Sequence, residues 1–324
     1  MTVYEIARLA GVSPGTVSKA LNGRPGVSEE TRLKVLGILR DYDLSFPERP
    51  AATSSLVGIL VSDISNLYFS KGAGVIQEVL TENGYCPVIL ETGLDAGKQL
   101  SALKLLRLCG IEGVITVGSS FSGEEVGKGL QGLLPGVPAV MLNGLVPRDG
   151  VSLVRHDIRQ GVGDAVRYMH KTGCRRFAFL RTEDTPMGRE KVKGFREALS
   201  GLSLEGAVID AGEDTFEAGF SAASRDCFPF DAVIASTDIV AAGALSALKA
   251  KGKGVPEDVS LFGIDNTEYS RITSPTLSTV DCQLEAMSYS AASLLLTMLR
   301  KPGEKGELVY PCALVPREST KKAP

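Results

Sequence analysis

Apolar positions at the start of the chain recur at the spacing of two short helices joined by a tight turn. The apolar face of the first predicted helix consists of Ile6, Ala7 and Ala10. Gly11 supplies the turn, and Ser13 is suited to cap the second helix, with Pro14 at its first position, where a missing N–H costs nothing. The pattern predicts a helix-turn-helix.

The second predicted helix has one apolar and one polar face. Val17 and Leu21 are expected to be buried. The opposite face is a short polar strip made of Thr16, Ser18, Lys19 and Asn22. Such a strip fits phosphate oxygens and base edges in a major groove, so we interpret it as DNA-reading. The alternative is an ordinary helical hairpin with a solvated polar face.

A third helix is predicted from about residue 28 to 42, followed by a linker rich in Pro, Ser and Thr. Beyond it, short apolar runs alternate with helical patterns. The predicted strands are 56–61, 87–90, 113–117, 139–142, 176–180, 207–209, 232–235 and 260–264. The predicted helices are near 70–83, 95–109, 157–171, 187–200, 215–225 and 238–251. This alternation predicts parallel sheets covered by helices on both faces.

Eight strand–helix units are more than one open sheet usually needs, so two similar Rossmann-like subdomains are predicted. The segment 143–157, with its Pro, Asp and Gly residues, is the predicted crossing between them. Ligands of such sheets bind beyond the carboxyl ends of the strands. The polar residues at those ends are Ser62, Asp63, Asn66, Glu91, Thr92, Asn143, Arg181, Asp214, Ser236, Thr237, Asp238, Asp265 and Asn266. Carboxylates and amides converging on a cleft favour a small polar metabolite, such as a sugar or nucleoside.

Charge and cysteine content narrow the functional class. The net charge is -3 over 324 residues, yet residues 1–40 carry a net +3, a basic head suited to local DNA contact. The six cysteines form no close pair, so we expect reduced, mostly buried thiols and no metal site. The chain shows neither a signal peptide nor an apolar run of membrane-spanning length, which favours the cytoplasm and no membrane partner.

The glycine run and the two histidines give only weak indications of enzyme chemistry. The run from Gly127 to Gly132 fits a dinucleotide fingerprint, but it does not follow a strand within a βαβ unit. His156 and His170, the two histidines, lack a catalytic spacing to Cys or Ser, so capping or surface roles are expected. We therefore predict no enzyme and no cofactor.

Several of these stretches together resemble the LacI family of transcriptional regulators. The head resembles its DNA-binding domain in the run Tyr-x-Ile-Ala-x-x-Ala-Gly-Val-Ser-x-x-Thr-Val-Ser-Lys-x-Leu-Asn from residue 4 to 22. The body resembles its effector domain in residues 58–69, 191–195, 235–238, 258–266 and 274–280. The resemblance covers nearly the whole chain.

The resemblance implies an all-α helix-turn-helix domain joined to an α/β, two-lobed, periplasmic-binding-protein-like effector domain. We expect the DNA-binding domain at 1–45, a degenerate hinge at 46–56 and the effector and dimerisation domain at 57–324. Its first subdomain is expected to comprise about 57–155 and 281–301, and its second about 156–280 and 302–320.

The resemblance also implies site residues. The positions expected to line the effector cleft are Asn143, Lys191, Asp214, Thr237 and Asp265, to which Asp63, Asn66 and Phe69 are added from the stretch after the first strand. Two of them depart from the family pattern, because Lys191 stands where Arg is common and Asp214 where an aromatic residue stacks on the ligand. A ligand with a cationic or strongly hydrogen-bonding group, or a weakened site, is therefore possible.

The residues expected to contact DNA are Thr2, Tyr4, Ser13, Pro14, Gly15, Thr16, Ser18, Lys19, Asn22 and Ser28. Lys19 is expected to reach base edges, because Pro14 and Gly15 offer no side-chain hydrogen bond there. The family's hinge carries an Ala-Arg-Ser-Leu-like segment whose Leu enters the minor groove. This chain has Arg-Pro-Ala-Ala-Thr at 49–53 instead, which puts that insertion in doubt.

The sequence as a whole favours a cytoplasmic transcription regulator, and its resemblance to the LacI family implies a repressor. It is expected to bind a near-palindromic operator as a homodimer and to respond to a small polar effector, because one short helix reads too few bases for specificity. The alternative is a sugar-binding protein of the uptake type without a DNA role.

Overall fold

The computed structural model describes residues 3–21, 26–41, 55–145, 150–182, 184–225 and 228–322. It divides into two compact units, Met1–Thr53 and Ser54–Pro324. The linker, predicted at 46–56, lies outside the described residues except for its last two positions.

The first unit contains three helices around a small apolar core. They are α1 (Val3–Ala10), α2 (Pro14–Leu21) and α3 (Glu29–Asp41). The core residues are Ile6, Ala7, Ala10, Val17, Ala20 and Val35. Gly11 has a φ of 69°, which a side chain disfavours, so glycine permits the sharp turn between α1 and α2. The predicted helix-turn-helix is confirmed.

The first lobe of the second unit is built on a six-stranded, wholly parallel sheet. Its strands, in spatial order, are β11 (Glu307–Pro311), β5 (Val151–Asp157), β4 (Ala139–Leu142), β3 (Gly113–Val117), β1 (Leu56–Val61) and β2 (Cys86–Glu91). The helices that belong to this lobe are α4 (Leu67–Glu82), α5 (Ala96–Cys109), α6 (Glu124–Leu133) and α12 (Leu284–Arg300). Two apolar clusters, one for each face of the sheet, form its core.

The second lobe repeats this plan with one antiparallel strand at its edge. Its strands, in spatial order, are β12 (Ala313–Val315), β10 (Ser278–Asp281), β9 (Ser260–Ile264), β8 (Ala232–Ala235), β6 (Phe177–Arg181) and β7 (Gly206–Asp210). Only β12 runs antiparallel to its neighbour among the described strands. Its helices are α7 (Ile158–Lys171), α8 (Pro186–Gly201), α9 (Phe216–Ala223), α10 (Asp238–Ala250) and α11 (Tyr269–Ile272).

The chain crosses between the lobes at three places: after β5, between β10 and α12, and at Cys312 between β11 and β12. Two expected boundaries were therefore wrong. The segment 143–157 was predicted to be the crossing, but its second half forms β5 of the first sheet. Residues 302–320 were placed in the second subdomain, but β11 pairs with β5 in the first lobe, and only β12 returns to the second.

Close helix packing in the second lobe depends on two glycines. A Cβ on Gly243 of α10 would overlap the backbone of Phe216, and a Cβ on Gly219 of α9 would overlap that of Val240. The colliding atoms are backbone and cannot rotate away, so α9 and α10 approach this closely only because both positions lack a side chain.

We expect Gly243→Ala to destabilise the second unit by about 1–3 kcal/mol, because the added methyl group must separate two packed helices. Gly74→Ala in α4 is the matched control, since that position has open space around it. The control is expected to be neutral or to stabilise by up to about 1 kcal/mol. Urea unfolding curves measure both, and equal effects of the two variants would contradict this account of the packing.

Candidate nucleic-acid interface and ligand cleft

Two serines expected to contact DNA cap helices of the head. Ser13 Oγ accepts a hydrogen bond from the backbone N–H of Thr16 at 3.1 Å and lies 2.9 Å from Thr16 Oγ1. Ser28 Oγ accepts from the N–H of Thr31 at 3.2 Å. Each serine thus satisfies a free N–H in the first turn of the helix that follows. The two caps orient α2 and α3, and both serines are exposed.

The exposed face of α2 carries several of the residues that the sequence predicts to contact DNA. Lys19, Pro14 and Gly15 are all exposed, and Thr16 is half-buried. Thr2 and Asn22 lie outside the described residues, as do the side chains of Tyr4 and Ser18. Of the residues described on this face, Lys19 is the one that offers a long side chain with a hydrogen-bond donor.

The ligand cleft lies between the two lobes of the second unit and contains about 760 Å³ of unfilled space, part of it open to solvent. It is formed where strands end. The residues that line it after or at the ends of β1, β3, β4, β5, β6, β8 and β9 are Ser62, Gly118, Asn143, His156, Arg181, Ser236 and Asp265. The parallel direction of these strands brings seven distant segments to one site.

Seven of the eight predicted ligand residues line the cleft: Asn66, Phe69, Asn143, Lys191, Asp214, Thr237 and Asp265. Asp63 does not line it. Its Oδ1 instead accepts hydrogen bonds from the N–H and the Oγ of Ser65, at 2.8 and 2.6 Å. The carboxylate of Asp63 closes the turn after β1, which is a common role of Asp in such turns.

Some cleft residues already use their hydrogen-bonding groups within the protein. Asn66 of the first lobe donates from Nδ2 to Asp214 Oδ2 of the second lobe at 3.0 Å, and Thr237 Oγ1 donates to Asp214 Oδ1 at 2.5 Å. Lys191 Nζ donates to the carbonyl oxygen of Ser236 at 2.7 Å. The Asn66–Asp214 hydrogen bond therefore joins the two lobes across the cleft.

Other cleft residues have buried polar atoms without a hydrogen-bond partner among the described residues. They are Tyr68 through its hydroxyl, Asn143 through Oδ1, His156 through both ring nitrogens and Arg181 through Nε. Asp265 is half-buried, and its carboxylate receives only a long contact from Cys282 Sγ, at 3.7 Å, in the described part of the chain. Unpaired buried polar atoms are rare, and five of the ten found among the described residues belong to residues that line this cleft.

The environment in and beside the cleft shifts the pKa values of several groups, Asp265, Asp238 and His156 among them. Burial raises the pKa of Asp265 to about 6; Lys191 opposes this shift, and the charges of Asp214 and Asp281 add to it. Burial, with the charge of Asp265, raises the pKa of Asp238 to about 7. Burial, together with the positive charges of Lys191 and Arg155, lowers the pKa of His156 to about 3. Perturbed groups of this kind cluster at functional sites.

Sequence reasoning missed several lining residues. They are Tyr68, Leu94, Ser119, Ser120, His156, Phe179, Thr182, Thr185, Met187 and Gly188. The surface or capping role expected for His156 was wrong, because its side chain is 2% exposed. The missing signal was β5: with that strand recognised, His156 falls at its carboxyl end, where ligand contacts are expected. Ser62, Arg181 and Ser236 had been found by that same rule.

The structure explains the glycine run, which the sequence had offered as a weak sign of dinucleotide binding. The glycine run 127–132 lies within α6, not after a strand, and a Cβ on Gly129 would overlap Leu100 of α5, so helix packing accounts for that glycine. Among the described residues, no group of three or more His, Cys, Asp or Glu is placed to hold a metal ion. None of the described helices combines the length and apolar character needed to cross a membrane.

Comparison with known proteins agrees with both units. Residues 2–43 match the family described as "Bacterial regulatory proteins, lacI family", and residues 166–320 match "Periplasmic binding protein-like domain". The transcriptional regulator MalR of Streptomyces coelicolor is 32% identical over 99% of this chain and 96% of its own length. The ribose operon repressor of Halalkalibacterium halodurans is 28% identical over 99% of this chain and 97% of its own.

A solved structure, described as a complex of the transcriptional regulator CelR with cellobiose, is 28% identical with a TM-score of 0.72, covering 98% of this chain and 99% of that one. A helix-turn-helix head on a two-lobed body with a cleft defines a DNA-binding regulator. The chain belongs to the LacI family of bacterial transcriptional regulators, and its relatives are regulators and not enzymes.

The raised pKa of Asp265 makes the stability of the protein depend on pH. The stabilisation associated with its protonated form is fully present below about pH 3.8 and is lost as the pH rises through about 6. We expect Asp265→Asn, which carries no charge, to gain stability relative to the wild type as the pH rises from 4.5 to 7.5. Urea midpoints at these pH values measure the difference, and a constant difference would contradict the shift.

Proposed function

We propose that this protein is a homodimeric repressor that binds a near-palindromic operator and responds to a small, neutral, polyhydroxylated ligand, a sugar, held in the cleft. The observation that carries the proposal is the set of unpaired buried polar atoms in the cleft of a chain that also has a DNA-reading head. Such atoms gain partners when a ligand rich in hydroxyl groups enters.

The hydrogen-bonding groups of the cleft that lack a protein partner favour a ligand with hydroxyl groups. Asn143 Oδ1 and the Asp265 carboxylate accept hydrogen bonds, whereas the Tyr68 hydroxyl can donate or accept. A sugar hydroxyl can also do both. The names of two relatives, a ribose operon repressor and a regulator solved with cellobiose, support the same class.

A nucleoside fits the cleft less well. A base is usually held by stacking on an aromatic ring; the chain contains no Trp, and the aromatic residues that line the cleft are Tyr68, Phe69 and Phe179. Asp214 stands where the family has its stacking aromatic, and its carboxylate is already engaged by Asn66 and Thr237. The second candidate from the sequence, an uptake binding protein, lacks support because the head matches a DNA-binding family.

The position of the cleft supports coupling between ligand and DNA. Asn143 follows β4 of the first lobe and Asp265 follows β9 of the second, so a ligand that contacts both favours the closed arrangement of the lobes. The Asn66–Asp214 hydrogen bond already favours closure without ligand. Ligand binding therefore shifts the equilibrium between the open and closed arrangements of the lobes. An allosteric regulator needs such a shift.

Exposed apolar residues on the second lobe offer a surface for dimerisation. Phe216 and Phe220 of α9 are 38% and 37% exposed, and Ile272 of α11 is 76% exposed. Both helices pack against α10. Two copies of the chain place two recognition helices on the two halves of an operator, which one short helix cannot read specifically.

We expect Asp265→Ala to weaken binding of the preferred sugar at least tenfold, because a buried carboxylate partner is lost. Titration calorimetry with cellobiose, maltose, D-ribose, D-glucose, adenosine and spermidine identifies the ligand class. Asp63→Ala is the control, since Asp63 does not line the cleft. Binding of adenosine or spermidine alone would overturn the sugar assignment, and equal sugar binding by both variants would remove Asp265 from the site.

The same sugar is expected to change operator affinity by about 1–3 kcal/mol, a modest coupling in view of the altered hinge sequence. Operator titrations with and without sugar measure it for the wild type and Asp265→Ala. An increase in affinity on adding sugar would make the ligand a corepressor, and a decrease would make it an inducer. The absence of any change would contradict the regulatory role.

We expect Lys19→Ala to cost about 1–3 kcal/mol on the selected operator and to relax preference at one base pair in each half-site. Lys34→Ala is the control, because Lys34 is an exposed cation of α3. Any loss of DNA affinity in Lys34→Ala is expected to be similar for all operator sequences. Binding-site selection with both variants is the measurement, and unchanged discrimination by Lys19→Ala would contradict its role as a base reader.

A further inference from the structure

His156 occupies an unusual place in the second unit. It is the next-to-last residue of β5, directly before the chain first crosses from one lobe to the other. Its side chain is 2% exposed and lines the cleft. Neither ring nitrogen has a hydrogen-bond partner among the described residues. A neutral imidazole has one donor and one acceptor, so both capacities remain unused in a buried place.

This arrangement is costly if it serves only the fold. A buried polar group without partners loses its hydrogen bonds to water and forms none with the protein. A Phe or Leu side chain would fill the same space without that loss of free energy. The other histidine differs: His170, at the end of α7, has its Nδ1 3.1 Å from Arg175 Nη1. The unpaired state is therefore particular to the histidine that faces the cleft.

The surroundings of His156 give it no catalytic or metal-binding partner in the described part of the chain. It forms no hydrogen bond with a serine or cysteine, and no metal-holding cluster of described residues includes it. Asn143, which follows the neighbouring strand β4, has its own Oδ1 unpaired and lines the same cleft. Both Asn143 and His156 thus have unpaired groups in the lining of the space that a ligand fills.

We propose that His156 contacts the ligand directly and selects a neutral hydroxyl group at that point of the cleft. This inference rests on the proposed function and names one specificity-determining residue of the same site. A hydroxyl can accept from the imidazole N–H or donate to its bare nitrogen, so either tautomer is satisfied. An ammonium group there is opposed by the nearby charge of Lys191, and a neutral imidazole offers a carboxylate no opposite charge.

The low pKa of His156 supports this choice. Burial, Lys191 and Arg155 lower the pKa of His156 to about 3, so the imidazole is uncharged at neutral pH. His156 therefore offers one hydrogen-bond donor and one acceptor as long as its imidazole is uncharged, and in that state it does not attract an anionic ligand.

The first test compares His156→Phe with the matched control His170→Phe, using cellobiose, maltose, D-ribose and D-glucose as probes. For the sugar that binds the wild type, we expect His156→Phe to raise the Kd at least tenfold. The melting temperature without sugar is expected to stay the same or rise, because an unpaired polar group is replaced by an apolar ring. His170→Phe is expected to leave the Kd unchanged.

Deoxy derivatives of that sugar locate the contact. Removing the hydroxyl that faces His156 is expected to weaken binding to the wild type at least tenfold and to leave binding to His156→Phe nearly unchanged. A purely structural role predicts the opposite pattern, in which the variant lowers the melting temperature and every deoxy sugar loses equally against both proteins.

A second measurement uses the wild-type protein and does not depend on the folding of a variant. The chain has two histidines, so ¹⁵N-labelled histidine gives two sets of ring-nitrogen signals, which His170→Phe assigns. Adding the sugar is expected to shift the signals of His156 and not those of His170. Unmoved signals of His156, with sugar bound, would overturn the inference while leaving the proposed function intact. If none of the sugars binds the wild type, the proposed function itself fails.

Discussion

The parallel direction of the strands is the constraint on which the ligand cleft depends. Every strand of the first sheet is parallel to its neighbours, and only β12 departs from this in the second. All carboxyl ends of a sheet therefore lie at one edge, and three chain crossings hold the two edges together. Seven strand ends, from Ser62 to Asp265, contribute lining residues to one cavity although they are far apart in sequence. A single reversed strand within either sheet would remove its residue from the site.

Within the cleft, hydrogen bonding divides the polar residues into two groups. Asp214, Asn66, Thr237 and Lys191 satisfy one another or the backbone and hold the lobes in place. Tyr68, Asn143 and His156 keep buried atoms unpaired. The head shows the same division at a smaller scale, because Ser13 is used in capping α2 while Lys19 remains exposed. In both units, some polar residues build the site and others stay available to a partner.

Much of the architecture could be predicted from local pattern. The strands β1, β3, β4, β8 and β9 were predicted with their observed ends, because each is a short apolar run followed by a polar or glycine residue. The strands β5, β10, β11 and β12 were not predicted, and for β5 and β11 the reason is equally local. Val151–Asp157 contains Ser, Arg, His and Asp, and Glu307–Pro311 ends in proline, so neither shows the pattern of a buried strand.

The sequence by itself determined the helix-turn-helix, the alternation of strands and helices and most residues at strand ends, because these follow from periodicity, capping and turn chemistry within a few neighbouring residues. Only the tertiary structure decided which strand end remains open to a ligand. Asp63 and Asp265 both follow strands, yet one closes its own turn and the other faces the cleft. His156 became a cleft residue only through the pairing of β5 with β4 and β11. Burial and hydrogen-bond satisfaction depend on segments that meet in space, and no local pattern contains that information.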